Sequence, residues 1–281
     1  MTSARSLAPP SLLLAALLAL PAAPAEREVG SVERLELTSL TRERAGVWAR
    51  TRLPRAAKGA RQTFDGEVTV ANVRLPVGQP VTVAVQERPT GAEAVFLLDI
   101  DLRKVPEELV TRMGTHAVDP VLTGRLRGDG GTEVPVHAVG VIRFGTPQLV
   151  APASNATRFV RYAGARLSGL GLAESTGEAR AFVYNPFGFP LDVRSLSYSL
   201  WLGERRVVTG ELRGIRLHPA RENEVRIPLR ALNSDLVAAA GQAVLAGGEL
   251  DGELMAQVEL KAGRDGVTFP LKLPGKVRLV R

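Results

Sequence analysis

Residues 181–206 read AFVYNPFGFPLDVRSLSYSLWLGERR, and this stretch decides the fold that we expect for the chain. A β-prone run at 181–184 stops at Asn185 and Pro186, because proline has no N–H to donate and ends or bulges a strand. In residues 195–202 every even position is apolar, which is the period-two pattern of a strand with one buried face. The stretch therefore predicts two strands separated at the Asn-Pro step, and it contains no residue typical of a catalytic site.

The composition agrees with a chain built of short strands. It has 281 residues, 45% of them apolar, with 28 glycines and 19 prolines spread along the sequence. This length suits one large domain or two of ordinary size. The absence of cysteine excludes disulfides and thiolate metal sites.

Two segments change from the strand period to signals of a short helix. The first, 105–113, has proline and acids in its first turn, Arg112 in its last turn and Gly114 after it. The second is 234–246, for which we expect a cap at Ser234 or Asp235 and an end at two glycines. Each segment is followed by a strand, a glycine-rich turn and a further strand.

This order of strand, helix, strand, turn and strand occurs twice. Leu109 corresponds to Leu236 and Gly128 to Gly263, so the sequence predicts an internal repeat of about 130 residues. We expect the boundary within 145–154, which is rich in proline and small residues. The predicted domains are residues 30–147 and 155–281.

The second copy resembles the late embryogenesis abundant type 2 domain, also called the WHy (water stress and hypersensitive response) domain and found in LEA14-like proteins. In that family a strand runs into an Asn-Pro step and is followed by an aliphatic strand and a Tyr-x-Leu-x-x-Gly segment. The corresponding segments here are FVYNP at 182–186, the run 191–196 and YSLWLG at 198–203. The resemblance covers about residues 158–281.

The first copy diverges from this pattern. Residues 50–52 stand where the Asn-Pro step is expected, and no Tyr-x-Leu precedes Gly66. The resemblance implies an all-β protein of two tandem antiparallel β-sandwich domains, similar to immunoglobulin or fibronectin domains, each with one short helix. It also implies a non-catalytic role in tolerance of desiccation or other stress.

The N-terminus has the order of a secretory signal peptide. One positive charge precedes an apolar run at 11–20, and small residues follow at 23–25. The apolar run is shorter than the roughly 20 residues that a membrane span needs. We expect residues 1–25 to be removed by cleavage after Ala25, with an uncleaved anchor as the alternative. The location expected is the periplasm or envelope of a bacterium.

The surface charge is positive but dispersed. The formal net charge is +7, and the arginines are interspersed with acids, as in Arg221-Glu222-Asn223-Glu224. A basic surface can meet anionic lipids or other polyanions, and a mixed-charge surface that is simply solvated is the alternative. No basic run with interleaved aromatics of the kind that tracks a phosphate backbone is present, so we expect no nucleic-acid partner.

No constellation of residues predicts catalysis, a metal or a cofactor. His116, His137 and His218 lack metal-ligand spacing, and we interpret them as ordinary surface or turn residues. Asp99 and Asp101 lie two apart on one strand face, a spacing that serves acid-base chemistry or a cation as well as a solvated rim. We favour the solvated rim.

The motif at Asn185 and Pro186, with Tyr198, Trp201 and Gly203, has two interpretations. The Asn185 amide can bond nearby backbone and end the strand at the proline, which is the structural interpretation that we favour. Alternatively, the aromatic residues near it form an apolar patch for a lipid or partner. We therefore expect a protective protein that contacts partly unfolded proteins or anionic membranes. A structural, adaptor or lipid-binding subunit of an envelope assembly is the alternative.

Overall fold

The computed structural model of the chain describes residues 29–59, 61–113, 117–143, 158–169, 173–241, 248–261 and 267–280. The expected signal peptide and domain boundary lie outside these residues. Within them, neither short helix has the length and hydropathy needed to cross a membrane.

The first domain contains ten strands and one helix in the described ranges. Its elements are β1 (Gly30–Leu40), β2 (Arg44–Leu53), β3 (Gln62–Val70), β4 (Val73–Arg74), β5 (Val81–Arg88), β6 (Gly91–Asp101), a 3-10 turn (Leu102–Lys104), α1 (Glu107–Met113), β7 (Ala117–Val118), β8 (Pro120–Gly128), β9 (Glu133–Val139) and β10 (Ile142–Arg143).

The second domain is made of longer strands. Its elements are β11 (Val160–Ser168), β12 (Glu174–Asn185), β13 (Leu191–Leu202), β14 (Arg205–Leu217), β15 (Arg221–Leu232), α2 (Asn233–Ala240), β16 (Gly248–Leu260) and β17 (Val267–Val280). Most of them alternate buried and exposed positions, as β15 does along its whole length.

The sheet of the first domain closes on itself. Its strands follow the order β3-β5-β6-β2-β1-β9-β8, and β8 pairs again with β3. The pairing of β3 with β5 is short and joins residues 62–64 to residues 81–83. Hydrogen bonds therefore run all the way round this barrel-like sheet.

The sheet of the second domain has the same order but stays open. Its strands follow the order β14-β13-β16-β17-β11-β12-β15, and the described residues of β14 and β15 form no ladder with one another. In both main sheets the first strand pairs in parallel with the last, β1 with β9 and β11 with β17. This shared topology supports the internal repeat inferred from the sequence.

The expectation of an all-β chain with two domains and a short helix in each is confirmed. In each domain, one curled sheet takes the place of two separate facing sheets, and the parallel pair of first and last strands interrupts the otherwise antiparallel order.

The sequence comparison placed the wrong residues of the first copy at the position of the Asn-Pro step. β12 ends at Asn185 before Pro186, and its topological equivalent β2 ends at Leu53 before Pro54. The first copy therefore keeps the proline and has a leucine for the asparagine, whereas the sequence comparison placed residues 50–52 there. The mismatch arose because the strand lengths differ while the end of the strand is the shared feature.

The helices lie where the sequence places them, with different ends. α1 begins at Glu107, directly after Pro106, and buries Leu109. α2 begins at Asn233, one residue earlier than expected, and no side chain caps its first turn, so the cap predicted at Ser234 or Asp235 is wrong. It ends before Gly241, whose positive φ of 56° suits a glycine.

The two cores are filled differently. In the first domain, Phe64 and Phe96 are fully buried and meet edge to face with ring centroids 5.3 Å apart. The buried core of the second domain consists of leucine, valine, isoleucine and alanine with one tyrosine, and its phenylalanines are only partly buried. This difference leaves space at one end of the second domain.

Candidate functional site

Asn185 is completely buried at the end of β12 and all its hydrogen-bonding atoms are used. Its Nδ2 donates to the carbonyl oxygens of Phe189 (2.8 Å) and Leu217 (3.2 Å). Its Oδ1 accepts from the backbone N–H of Phe187 at 3.0 Å. One side chain therefore fixes the loop 186–190 and ties it to the end of β14.

Asn223, on the neighbouring strand β15, does the same for the adjacent loop. Its Oδ1 accepts from the His218 N–H at 2.7 Å, and its Nδ2 donates to the carbonyl oxygens of His218 and Arg221. The two loops are joined where the Ala220 N–H donates to the Phe187 oxygen at 2.9 Å. Two buried amides thus shape one end of the second domain.

The loop that Asn185 holds also contacts the first domain. Phe187 packs against the buried clusters of both domains and stacks on Phe189 with centroids 5.2 Å apart. Gly188 lies so near the carbonyl oxygen of Arg103 that a β-carbon would clash with it. The Asn-Pro loop is therefore part of the boundary between the domains.

Arginines complete this boundary. Arg42 donates from Nε to the carbonyl oxygen of Arg158 at 3.0 Å, and Arg158 donates to the carbonyl oxygen of Leu40. The Arg42 guanidinium also lies over the Tyr184 ring, 5.1 Å from its centroid, and 3.8 Å from the Glu222 carboxylate. These contacts join positions more than a hundred residues apart.

A cavity of about 340 Å³ lies at this end of the second domain. Its walls come from the ends of β12 to β17 nearest the first domain, and Leu40 and Leu102 of the first domain complete them. All of its lining side chains are apolar except Tyr184. The first domain therefore contributes to the wall of a hydrophobic chamber that belongs mainly to the second.

The rest of the motif is spread along β13. Tyr198 is 8% exposed and donates to the carbonyl oxygen of Pro228, and burial raises the pKa of its hydroxyl. Trp201 donates to the Ser199 hydroxyl at 3.0 Å, and Gly203 has a φ of +57° in the hairpin turn to β14.

The aromatic residues of the motif do not form one patch. The structure brings Phe187 and Phe189 together before β13, whereas Trp201 lies at its other end, about 30 Å along the strand from Leu191 at the usual rise.

Tyr162 on β11 is a buried polar group that the sequence did not indicate. Its hydroxyl has no hydrogen-bond partner among the described residues. Burial raises the pKa of Tyr162 to about 12, because the apolar surroundings disfavour the phenolate. The side chain lies against Gly275 of β17.

A basic cleft crosses the outer face of β11, β12 and β17. Its cations are Arg166, Arg180, Lys276 and Arg278, and its acids are Glu178 and Glu249. Arg180 pairs with Glu178 at 2.8 Å and Lys276 with Asp251 at 2.6 Å. The cleft therefore carries a local excess of positive charge on a solvent-exposed face.

The histidines and the aspartate pair have structural contacts. His137 pairs across strands with Thr123, its Nδ1 3.2 Å from the hydroxyl, and His218 lies in the turn held by Asn223. His116 lies outside the described residues. Among the described residues, no three histidine or acidic side chains converge as metal ligands would.

Asp99 and Asp101 each engage a neighbour. Both Asp99 oxygens contact Arg44, at 2.9 and 2.7 Å. Asp101 accepts from the Arg103 N–H at the start of the 3-10 turn. Each carboxylate thus has a nearby cation or backbone partner on the domain surface.

The sequence analysis missed two groups at this end of the second domain. Asn223 was recognisable, because the alternation of β15 continued back from Val225 points position 223 inward. No pattern in the sequence pointed to Arg42 and Arg158, because their contacts depend on how segments distant in the chain meet.

Residues 181–275 match the family model of the late embryogenesis abundant protein, LEA_2. This late embryogenesis abundant match lies wholly within the second domain, and the first domain is similar in structure but unassigned. No curated protein matches the chain.

Several solved structures are similar to part of the chain. A protein from Archaeoglobus fulgidus is 17% identical over 43% of this chain and 96% of its own, with a TM-score of 0.32. A protein from Arabidopsis thaliana is 17% identical over 43% of this chain and 81% of its own, with a TM-score of 0.37. A further protein described as late embryogenesis abundant is 15% identical, covers 43% of this chain and 70% of its own, and has a TM-score of 0.35.

Proposed function

We propose that this protein has a non-catalytic, stress-protective function, in which it contacts partly unfolded proteins or anionic membrane surfaces under water stress. The observation that carries the proposal is the late embryogenesis abundant domain at residues 181–275. The contacts are weak and numerous, as suits a mixed-charge surface that must release what it protects.

The basic cleft of the second domain supports contact with anionic surfaces. Arg166 and Arg278 sit beside one another on the parallel pair β11 and β17, within a cleft that has four cations and two acids. Arginine attracts and hydrogen-bonds phosphate and carboxylate groups through its planar fork. Such attraction falls with ionic strength because these groups are exposed.

A drying assay tests the protective role. A drying-sensitive enzyme is dried and rehydrated with the full chain or with an equal mass of an inert protein, and its recovered activity is measured. We expect higher recovery with the chain. Recovery no better than with the inert protein refutes the proposal.

Co-sedimentation with vesicles tests the anionic contact. We expect binding to vesicles containing phosphatidylglycerol at low salt, little binding to pure phosphatidylcholine, and loss of binding as salt rises. The variant Arg166→Gln/Arg278→Gln should bind less. The matched control Arg125→Gln/Arg127→Gln changes two first-domain arginines paired with Glu133 and should bind like the wild type.

The second candidate is an adaptor or lipid-binding subunit of an envelope assembly. The apolar cavity favours it, since empty space lined by leucine, valine and phenylalanine suits an apolar ligand. Mass spectrometry of lipids that co-purify with the chain tests the lipid-binding form. A stoichiometric protein partner recovered from envelope extract would support the adaptor form instead.

We further propose export of the protein, supported by the charge, apolar run and small residues of the N-terminal sequence. N-terminal sequencing of the protein from a bacterial host should find a chain that begins at Glu26. A chain retaining residues 1–25 in the cytoplasmic fraction contradicts this.

A further inference from the structure

Part of the cavity lining of the second domain keeps some exposure. Six of the core side chains that line the cavity retain 5–8% exposure, and these are Leu191, Val193, Leu196, Val225, Val258 and Leu273. Core side chains further along the sheet are at 0–1%, namely Leu167, Leu200, Leu229 and Val277. Apolar surface open to a cavity is stabilised by an apolar occupant that displaces water from it.

The pairing of β11 with β17 is incomplete beside this space. β11 and β17 pair only between residues 165–168 and 277–280, beyond the irregularity near Gly164. The preceding halves of the two strands pair with their other neighbours, β12 and β16. Phe159, Val160 and Leu271 lie outside the paired stretch and line the cavity. Their apolar side chains suit an alkyl chain.

The volume limits the occupant to a small ligand. About 340 Å³ is near the lower end of the usual range for ligand cavities, roughly 300–1,000 Å³. This favours one alkyl chain over a two-chain lipid.

The rim on the side of the first domain is positively charged. Arg42 lies over Tyr184, which lines the cavity, and Arg158 precedes the lining residue Phe159. Arg161 on β11 adds a third guanidinium nearby and lies over the Phe182 ring, 4.1 Å from its centroid. The Glu222 carboxylate is 3.8 Å from Arg42 and 3.2 Å from Arg161. Glu43, next to Arg42 in the chain, pairs with Arg103.

We propose that this cavity binds a single-chain carboxylic acid, with its alkyl chain inside the second domain and its carboxylate at Arg42 and Arg158. Three arginines beside one glutamate leave positive charge for an incoming carboxylate, which guanidinium groups bind through charge-assisted hydrogen bonds. Leu40 and Leu102 of the first domain then close the chamber over the bound chain. The inference rests on the lipid-binding candidate above and names its ligand.

Calorimetric titration of the full chain with decanoic, dodecanoic and tetradecanoic acids tests the site, with native mass spectrometry for stoichiometry. We expect one acid per chain and an affinity that rises about fourfold for each added methylene until the cavity is full. Dodecanol should bind more weakly than dodecanoic acid. Absence of saturable binding, or an affinity independent of chain length, overturns the proposal.

Filling the cavity provides the first matched pair of variants. Ala256 lines the cavity, and its neighbour Gln257 points outward on the same strand. Ala256→Phe should weaken dodecanoic acid binding at least about tenfold, since the ring takes the space of the chain. Gln257→Phe should bind like the wild type. If Ala256→Phe does not melt cooperatively, Val258→Phe, which also changes a lining residue, replaces it in the binding measurement. Equal losses in the lining and outward variants place the ligand elsewhere and overturn the proposal.

Removing one rim charge provides the second pair. Arg42→Gln should weaken dodecanoic acid binding about fivefold and leave dodecanol binding unchanged, because only the acid uses the charge. Arg44→Gln, whose arginine pairs with Asp99, should leave both unchanged. A loss that is equal for acid and alcohol contradicts the assigned position of the carboxylate.

Vesicle binding and the drying assay separate this inference from the protective function. If the chain protects a dried enzyme but binds no fatty acid, only the cavity proposal is overturned. If it binds dodecanoic acid in its cavity but protects no enzyme, only the proposed protective function is overturned. Uptake of the chain by phosphatidylcholine vesicles without free-acid binding assigns the apolar end to membrane contact and overturns the single-acid site.

Discussion

The two domains share one strand order, but the interior of the first is filled with side chains and that of the second contains a cavity. The first closes its ring of hydrogen bonds and fills its centre with Phe64 and Phe96. The second leaves β14 and β15 unjoined, pairs β11 with β17 only between residues 165–168 and 277–280, and contains a cavity. Where a sheet closes tightly around aromatic side chains it is a packed core, and where it stays open over aliphatic side chains it has room for a ligand.

The difference extends to the equivalent strand ends. Leu53 ends β2 as a buried apolar residue, whereas Asn185 ends β12 as a buried amide that holds a loop against the first domain. The duplicated unit has thus one copy that is stabilised by packing and one whose loops are fixed by polar side chains beside the cavity.

The largest expected effect comes from emptying the closed core. Phe96→Ala should lower the free energy of unfolding of the first domain by about 4 kcal/mol, because the lost ring leaves a cavity beside Phe64. Leu273→Ala in the second domain should cost about half as much, since that side chain already borders empty space. Hydrogen exchange measured by mass spectrometry reports each domain separately, and equal losses would remove the contrast between the interiors.

Alkaline pH should weaken the second domain selectively. Tyr162 has a pKa raised to about 12, whereas tyrosine in an unfolded chain titrates near 10. The folded domain therefore holds this proton more tightly, and the stabilisation is complete below pH 10 and is lost as pH rises towards 12. The free energy of unfolding that Tyr162 contributes in this way is about 3 kcal/mol.

Denaturant unfolding at pH 9 and pH 11 measures this loss. Tyr162→Phe should reduce it, and the part that remains comes from Tyr198, whose pKa burial also raises. All three tyrosines lie in the second domain, so their absorbance reports that domain alone. Tyr184→Phe is the control that should retain the pH dependence. An equal pH dependence in wild type and Tyr162→Phe is the contrary result.

Exchanging Leu53 and Asn185 tests the difference between the two strand ends. Asn185→Leu leaves the Phe187 N–H and the carbonyl oxygens of Phe189 and Leu217 without the amide, at a cost of about 2 kcal/mol. Leu53→Asn buries an amide among apolar neighbours and should cost a similar amount.

Thermal melting measures both variants of this exchange. Gln257→Leu changes an exposed amide and should stay within about 0.5 kcal/mol of the wild type. If Asn185→Leu has the same melting temperature as Gln257→Leu, the loop is held by something other than the Asn185 amide.

The smallest effect concerns the boundary between the domains. Gly188→Ala would press a methyl group against the Arg103 carbonyl, which should weaken the contact by about 1 kcal/mol and leave each core intact. Gly78→Ala, where nothing lies within 4 Å of the added carbon, is the matched control. Small-angle X-ray scattering should give a larger radius of gyration for Gly188→Ala only. An unchanged radius would contradict the close approach of the loop.

The strands and helices could be predicted from the sequence because they follow from local patterns. Period-two alternation marked β13, and acids and a proline marked the start of α1. The end of α2 was misplaced because Gly241, inside an alanine-rich run, ends it before the later glycines. Local patterns also identified Asn185 as a residue that ends a strand.

The cavity and the closure of the sheets could not be predicted in this way. Alternation shows which side chains point inward, but not whether two edge strands join or how completely the interior is filled. The pairing of β8 with β3, and the short ladder between β11 and β17, depend on side-chain volumes summed over many strands. Contacts such as that of Arg42 with Arg158 depend on the placement of whole domains.

The parallel pairing of first and last strands has a consequence for the order of events during synthesis. β1 cannot pair with β9, nor β11 with β17, until the last strand of that sheet has left the ribosome. Contacts this distant in sequence slow folding, because loop closure precedes the gain from pairing. The first domain completes its ring while the second is still being translated. The wall that Leu40 and Leu102 provide is therefore finished before the chamber it bounds.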